Sequence, residues 1–322
     1  MSLPMLDEPL MSVPNQKMKS LVANAVRGEI ILPTPREFDF DECLVYLNRS
    51  ALEPLHRISA GCITKVVRVE QRDILLRVEK RDSLNLRITL LNCALTTVIN
   101  KGVTKYVSEW FDLERSLTEF YAMGDRDSVL HNLVNRHYGL RLLVIHDLFQ
   151  ALCWAILGQQ INLAFAYSLY ARFVHTFGEE YEFDRMSYWF FPRPATIAEL
   201  SVTALRQLQI TGRKAEYLIG IAQEMVAGKL SKARLLALDD FERAKSDLLK
   251  VRGVGPWTAN YVLLRCLGQQ NAFPIEDIGL HHAIKNQLEM KRKPTVGEIR
   301  QLAKAWKNWE GYATFYLYRS LL

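Results

Sequence analysis

The sequence predicts an α+β protein, in which a small N-terminal antiparallel-sheet domain precedes a larger, all-helical domain. Apolar and polar residues alternate between about residues 59 and 92, whereas apolar residues recur with helical spacing from about residue 129 onward. The chain before them is mixed in character and contains prolines. We therefore expect a flexible segment at 1–35, a sheet domain at 36–128 and a helical domain at 129–322.

Three alternating runs make up the predicted sheet. They cover 63–69, 74–80 and 84–92, and the polar stretch QRD at 71–73 is typical of a turn between the first two. Period-two patterning with turn residues between the runs indicates an antiparallel meander. A helical pattern follows at 94–110.

The helical region shows residues that favour helix starts. Three capping residues have a suitable partner three positions later, namely Asp147 with Gln150, Thr196 with Glu199 and Thr295 with Glu298. The aromatic, proline-containing stretch 181–195 is interpreted as a connection between helices.

A glycine hairpin is the most informative local pattern. A helical run at 239–251 is followed by Gly253 and Gly255, and Pro256 then suits the first turn of a second helix. The N–H groups at the start of that helix, together with its dipole, would form an anion site that suits a DNA phosphate. The simpler interpretation is a tight corner in which the glycines only turn the chain.

Composition narrows the class of protein. A net charge of +6 and a pI of about 9.0 suit a polyanionic partner. The sequence has no apolar run of membrane-spanning length and no secretory signal at its start, so we expect no membrane association. Its 5 cysteines form no CxxC pair, which argues against a structural metal and a disulfide framework and for a reducing compartment.

The stretch V-R-G-V-G-P-W-T-A at 251–259 resembles the helix-hairpin-helix motif of the DNA glycosylase superfamily. Within that superfamily, the helix pair around I-L-G-Q at 149–179 resembles the 3-methyladenine DNA glycosylase II family. The helices at 212–230 and 311–322 carry the same resemblance, which is close over about 147–322 and weaker before it.

The resemblance implies a monofunctional DNA glycosylase of base excision repair. Such an enzyme flips an alkylated purine, of the 3-methyladenine or 7-methylguanine type, out of double-stranded DNA and hydrolyses its N-glycosidic bond. Superfamily members that also cut the strand carry a lysine where this chain has Trp257, so no lyase activity is expected. The last cysteine is Cys266, which excludes the branch with an iron–sulfur cluster.

The same resemblance implies the partners and cofactors. No redox or organic cofactor is needed, although hairpin carbonyls would hold a monovalent cation that bridges to phosphate. We expect a monomer bound to double-stranded DNA with alkylated bases. A bacterial protein of this kind would be cytoplasmic and nucleoid-associated, and a eukaryotic one nuclear.

Asp277 is the predicted catalytic residue, preferred to the adjacent Glu276. Its position before a helical run also predicts a helix cap, and the two roles are compatible. The predicted base pocket consists of Trp257, Tyr261 and Tyr318, because the first two lie on one helical face and the third aligns with a pocket aromatic of the family. The competing interpretation is a stripe of core aromatics. Stacked rings would favour a positively charged base through cation–π attraction.

Gln160 is the predicted wedge that fills the gap left by the extruded base, and the alternative is a solvated loop. The predicted phosphate-binding hairpin comprises Val251, Gly253, Val254, Gly255 and Thr258. Two other functions stay open at this point. One is a glycosylase for oxidised or mispaired purines, and the other is a non-catalytic helix-hairpin-helix protein that only binds DNA.

Overall fold

The computed structural model describes residues 28–322. Its N-terminal part contains a 5-stranded antiparallel sheet in the spatial order β1-β5-β4-β3-β2. The strands are β1 (Glu29–Pro33), β2 (Arg57–Ser59), β3 (Cys62–Val69), β4 (Arg72–Asp82) and β5 (Asn85–Leu90). The predicted meander is confirmed as β3, β4 and β5.

The prediction of a flexible segment at 1–35 is partly wrong. Its last part forms β1, which pairs along its whole length with β5, from Glu29 opposite Thr89 to Pro33 opposite Asn85. A strand of 5 residues is too short to show a clear alternation of apolar and polar residues. Pairing with the distant strand β5 stabilises it. Residues 1–27 lie outside the described residues.

Four helices accompany the sheet. They are α1 (Phe40–Leu47), α2 (Thr97–Trp110), α3 (Thr118–Gly124) and α4 (His131–Arg136). The predicted helix at 94–110 is confirmed as α2, whose buried Ile99, Val103 and Val107 recur every four residues and form one apolar face. A side chain at Gly102 would approach Val69 Cγ1 to 2.3 Å, so this glycine lets the helix lie close to β3.

The remaining helices build the second domain. They are α5 (Leu148–Gly158), α6 (Leu163–Phe177), α7 (Pro194–Ala198), α8 (Val202–Arg206), α9 (Gly212–Val226), α10 (Lys232–Leu236), α11 (Phe241–Leu249), α12 (Pro256–Arg265), α13 (Ile278–Gln287), α14 (Val296–Leu302) and α15 (Glu310–Arg319), with a short 3-10 helix at Ala303–Trp306. The predicted caps at Asp147 and Thr295 are confirmed, because each accepts a hydrogen bond from the backbone N–H three residues later. The cap at Thr196 is wrong, since α7 begins earlier, at Pro194.

The second domain is not all-helical. Part of the stretch interpreted as a connection forms a β-hairpin of β6 (Glu179–Phe183) and β7 (Met186–Phe190). Its aromatic side chains pack on the sheet, where Tyr188 joins Val66 and Leu75 in a small buried cluster. The helical pattern of the flanking segments concealed these strands, which contact the other domain.

Two buried arginines connect separate segments around one continuous apolar core. Arg141, which is fully buried, donates hydrogen bonds to the carbonyl oxygens of Asp112 (2.7 Å) and Arg115 (2.5 Å). Arg265 at the end of α12 donates to the hydroxyl of Tyr46 on α1 (2.8 Å). The sheet domain is thereby fixed against the helix that follows the glycine hairpin. Within residues 28–322, no helix is long and apolar enough to cross a bilayer.

Candidate active site

Asp277 occupies the N-cap of α13, so the predicted cap is confirmed. Its Oδ1 accepts a hydrogen bond from the backbone N–H of Leu280 (3.0 Å). Its Oδ2 accepts a second hydrogen bond from the indole Nε1 of Trp257. The half-buried carboxylate therefore has a donor on each oxygen, which restricts its rotation.

The predicted pocket aromatics lie beside this carboxylate. The rings of Trp257 and Tyr261, one turn apart on α12, are 5.6 Å apart and inclined by 31°. Burial, followed by the nearby Asp277 carboxylate, raises the pKa of Tyr318 well above its ordinary range. The Tyr318 hydroxyl has no hydrogen-bond partner among the described residues. The structure thus brings all four predicted residues into one site.

A small cavity continues behind Tyr261 at the interface of the two domains. Its volume is about 70 Å³. The lining mixes rings with charged groups, including Arg49, Glu53, Lys65, His146, Trp154 and Tyr261. None of these residues except Tyr261 is predicted from the sequence, because they come from separate segments with no shared pattern.

The glycines of the hairpin between α11 and α12 differ from each other. Gly253 has a φ of +95°, and a side chain there would meet the Tyr217 ring at 2.4 Å, so this position requires glycine. Gly255 has a φ of −90°, which any residue adopts, and a Cβ there would meet nothing within 4 Å. Gly253 therefore has a backbone conformation that favours glycine, whereas Gly255 does not. The absent side chain at Gly255 instead leaves the N-terminus of α12 open.

Other predicted hairpin residues have structural roles. The side chains of Val251 and Val254 are buried, so only their backbone groups are available to a phosphate. Thr258 is also buried, and its hydroxyl accepts a hydrogen bond from Gln159 Nε2 (3.1 Å). The same Gln159 amide donates to the carbonyl of Gly253 (3.2 Å). Gln159 thereby ties the turn after α5 to the hairpin.

Gln160 lies at the exposed tip of the turn between α5 and α6. Its φ of +57° is unusual for a residue other than glycine. Lys214 braces the turn, because its Nζ donates to the carbonyls of Leu157 and Gln159, each at 2.7 Å. An exposed side chain on a braced turn has the geometry that a wedge requires, and its role stays a prediction.

Comparison with known proteins identifies the family. Residues 153–308 match the family described as HhH-GPD superfamily base excision DNA repair protein, and residues 36–152 match the N-terminal domain of 8-oxoguanine DNA glycosylase. A Bacillus subtilis protein named DNA-3-methyladenine glycosylase is 44% identical over 298 residues, which cover 92% of this chain and 98% of the relative. The chain belongs to the 3-methyladenine DNA glycosylase family. The glycosylase is also 33% identical to the Escherichia coli DNA-3-methyladenine glycosylase 2 over 180 residues, 56% of this chain and 60% of the relative.

Solved structures share the fold of the glycosylase. The 3-methyladenine DNA glycosylase from Archaeoglobus fulgidus superposes with a TM-score of 0.77 at 24% identity, over 90% of this chain and 97% of that one. An 8-oxoguanine glycosylase/lyase from Clostridium acetobutylicum in complex with DNA gives a TM-score of 0.71 at 20% identity, over 91% and 94%. The predicted family and the two-part architecture of sheet domain and helix-hairpin-helix domain are confirmed.

Proposed function

We propose that the protein is a monofunctional DNA glycosylase that removes alkylated purines, of the 3-methyladenine and 7-methylguanine type, from double-stranded DNA. The observation that carries this proposal is the Asp277 carboxylate, held by the Trp257 indole next to Tyr261 and Tyr318. The indole stands where lyase members of the superfamily carry a lysine. The name of the Bacillus subtilis relative, at 44% identity, supports the substrate class.

Asp277 would act on the sugar of the flipped nucleotide. As the glycosidic bond breaks, positive charge develops on the sugar, and a carboxylate fixed by two donors stabilises that charge without reorganising. The same carboxylate would orient the attacking water. An alkylated purine carries positive charge and leaves readily, so its departure needs no general acid.

Flipping the base out of the duplex costs a few kcal/mol, because its stacking and pairing are lost. Gln160, exposed at the tip of its braced turn, would enter the gap and hydrogen-bond the orphaned partner base. This role would explain why a polar side chain is held in a left-handed conformation at the surface.

The hairpin would hold the DNA backbone. The first backbone hydrogen bond of α12 runs from Ala259 N to Gly255 O (2.9 Å), so the N–H groups before it point out of the helix towards a ligand. A monovalent cation held by hairpin carbonyls would bridge to the phosphate. We propose that one protein molecule binds one lesion as a monomer.

The test is the product of the reaction with methylated duplex DNA. We expect free 3-methyladenine and 7-methylguanine by chromatography, abasic sites that break only under alkali, and no covalent adduct after borohydride reduction. Strand cleavage without alkali, or a trapped adduct, would contradict a monofunctional mechanism. Binding without any base release would instead support the non-catalytic DNA-binding alternative.

The match of residues 36–152 to an 8-oxoguanine glycosylase domain supplies a second candidate substrate. A duplex containing 8-oxoguanine, tested beside the methylated duplex, separates the two. We expect release of methylpurines only, because their positive charge suits stacking against the Trp257 and Tyr261 rings, from which a neutral purine gains less.

A further inference from the structure

The turn that carries Gln160 is held in a conformation that its own residues do not favour. Gln160 has a φ of +57°, in the left-handed region, and its side chain is exposed. Such a backbone conformation is unfavourable for a residue other than glycine and persists only where the surrounding structure fixes it. The groups that hold this turn are therefore candidates for a role in the action of the predicted wedge.

Lys214, in the first turn of α9, supplies the contacts on the side of α5. Its Nζ donates to the carbonyl oxygens of Leu157 and Gln159, each at 2.7 Å. The second carbonyl belongs to the peptide bond that joins Gln159 to Gln160, so this contact fixes the peptide plane next to the predicted wedge. Both carbonyls lie at the C-terminal end of α5, where unpaired carbonyl groups and the helix dipole favour a cation.

The two carbonyl oxygens are the polar partners of the Lys214 side chain. Lys214 is half-buried, and burial lowers the pKa of its amine. Within residues 28–322 no carboxylate forms an ion pair with it, so the two carbonyls compensate its burial. Lys229, just beyond the other end of α9, is exposed and makes no side-chain hydrogen bond in the same range. The fold thus places a partly desolvated cation at the base of the predicted wedge, in spite of the cost of burying a charge.

Other contacts fix the turn on its remaining sides. The Gln159 side chain donates to the carbonyl of Gly253 in the hairpin (3.2 Å) and to the Thr258 hydroxyl (3.1 Å). After the turn, Asn162 caps α6 by accepting a hydrogen bond from the backbone N–H three residues later (2.8 Å). Gln160 therefore projects from a short segment whose two ends are held by the protein itself.

We propose that Lys214 is a positioning residue for base flipping, which holds the Gln160 turn in the conformation that fills the gap left by the extruded base. The inference rests on the proposed function, in which Gln160 is the wedge. A segment that is already ordered loses little conformational freedom when it enters the duplex, so more of its contact energy stabilises the flipped state. Lys214 acts through Gln160 and does not touch the reacting bond.

The experiment is a double-mutant cycle in the full-length protein. Single-turnover release is measured, at saturating protein, from a duplex with one 7-methylguanine. The variants are Lys214→Met, of similar length without donors, Gln160→Ala, which removes the wedge, and the combination of both. Lys214→Arg retains a cation that can donate to the two carbonyls, and Lys229→Met is the matched control at the surface. Thermal unfolding and binding to an undamaged duplex report on folding.

We expect Lys214→Met to slow release by about tenfold, because the turn must then be ordered during flipping. Lys214→Arg should recover most of the rate, and Lys229→Met should not change it. In the Gln160→Ala background the same Lys214→Met substitution should have little further effect, since no wedge is left to position. All variants should bind the undamaged duplex like the wild type, because that binding does not depend on a stably flipped base.

Independent, multiplicative losses from the two substitutions would overturn the proposal, because Lys214 would then act on folding or elsewhere in the site and not through Gln160. A wild-type rate for Lys214→Met or for Gln160→Ala would overturn it as well. If Lys214→Met does not fold, the cycle is closed with Lys214→Gln, which retains an amide donor. A wild-type protein that releases no methylpurine would instead contradict the proposed function itself.

Discussion

The two walls of the candidate active site differ in how the chain builds them. The outer wall, defined as Trp257, Tyr261 and Asp277, comes from a single stretch that begins with the glycine hairpin. The inner wall, defined as Tyr46, Arg49 and Trp154, combines the end of α1 in the sheet domain with α5 in the helical domain. A local motif thus supplies Asp277 and the rings beside it, whereas domain packing supplies the residues that line the cavity behind Tyr261.

The largest effect is expected in the outer wall. Asp277→Asn removes the negative charge but retains an oxygen that can accept the Leu280 N–H, so the fold should persist. We expect methylpurine release to fall by about a hundredfold or more, because a preorganised electrostatic contact is lost. Single-turnover kinetics with methylated DNA measure this rate of release.

The adjacent Glu276→Gln is the matched control for Asp277, since Glu276 is exposed. It should leave release unchanged, and both variants should bind a duplex with an abasic analogue like the wild type. Equal losses in the two variants would show that local charge, rather than the placement of Asp277, matters.

The next effect separates the two hairpin glycines. Gly253→Ala should destabilise the fold by about 2 kcal/mol, because a left-handed residue gains a side chain against the Tyr217 ring. Gly255→Ala should leave unfolding unchanged, since a Cβ there has open space. Chemical denaturation measures the free energy of unfolding of both variants.

DNA binding distinguishes the same pair further. If a phosphate approaches the open N-terminus of α12, Gly255→Ala should weaken duplex binding despite its unchanged stability. Undiminished binding by Gly255→Ala at several salt concentrations would argue against a phosphate at this point.

A smaller effect tests the donor on Asp277. Trp257→Phe keeps an aromatic ring beside Tyr261 but removes the N–H that the carboxylate accepts. We expect release to slow by about tenfold, the value of one hydrogen bond to a charged group. Tyr261→Phe, which retains its ring, serves as the control and should react at the wild-type rate. A wild-type rate for Trp257→Phe would show that the indole acts only as a surface for the base.

The smallest effect concerns pH and the cavity near the inner wall. Burial, followed by the nearby Lys232 and Lys65 charges, lowers the pKa of His146 to about 3. In the unfolded chain His146 therefore binds a proton near pH 6.5, whereas in the folded chain it stays neutral at that pH. The free energy of unfolding falls as pH decreases. Between about pH 7 and pH 5.5 the free energy of unfolding should decrease by roughly 1 kcal/mol.

The matched variant for this test is His146→Phe, since the His146 ring stacks on Tyr106 at 3.8 Å and a phenyl ring retains that contact. The variant should lose less stability than the wild type over the same pH range, measured by denaturation at each pH. Parallel curves for the two proteins would mean that other groups, such as Glu109 beside His146, dominate the pH response.

Much of the fold could be predicted because its signals are local. The strands β3 to β5 alternate with period two, and Asp277 and Thr295 show their capping role within four residues of sequence. The hairpin glycines and Pro256 mark the junction of α11 and α12 in the same way. Each of these patterns reflects a steric or hydrogen-bonding rule that acts between near neighbours.

Features that depend on distant partners were missed or wrong. The strand β1 exists through pairing with β5, and the β6–β7 hairpin through packing on the sheet. The Gln159 amide finds Thr258 and Gly253 only when α5 lies against α12. A sequence pattern contains no information on such contacts, since each needs two segments brought together by folding.

The sequence by itself determined the family, the glycine hairpin and the carboxylate at Asp277, because backbone angles and helix capping are set by adjacent residues. Only the tertiary structure decided which residues line the cavity behind Tyr261. Arg49 and Trp154 lie far apart along the chain, and they face one ring-lined cavity because burial of the apolar core presses the two domains together.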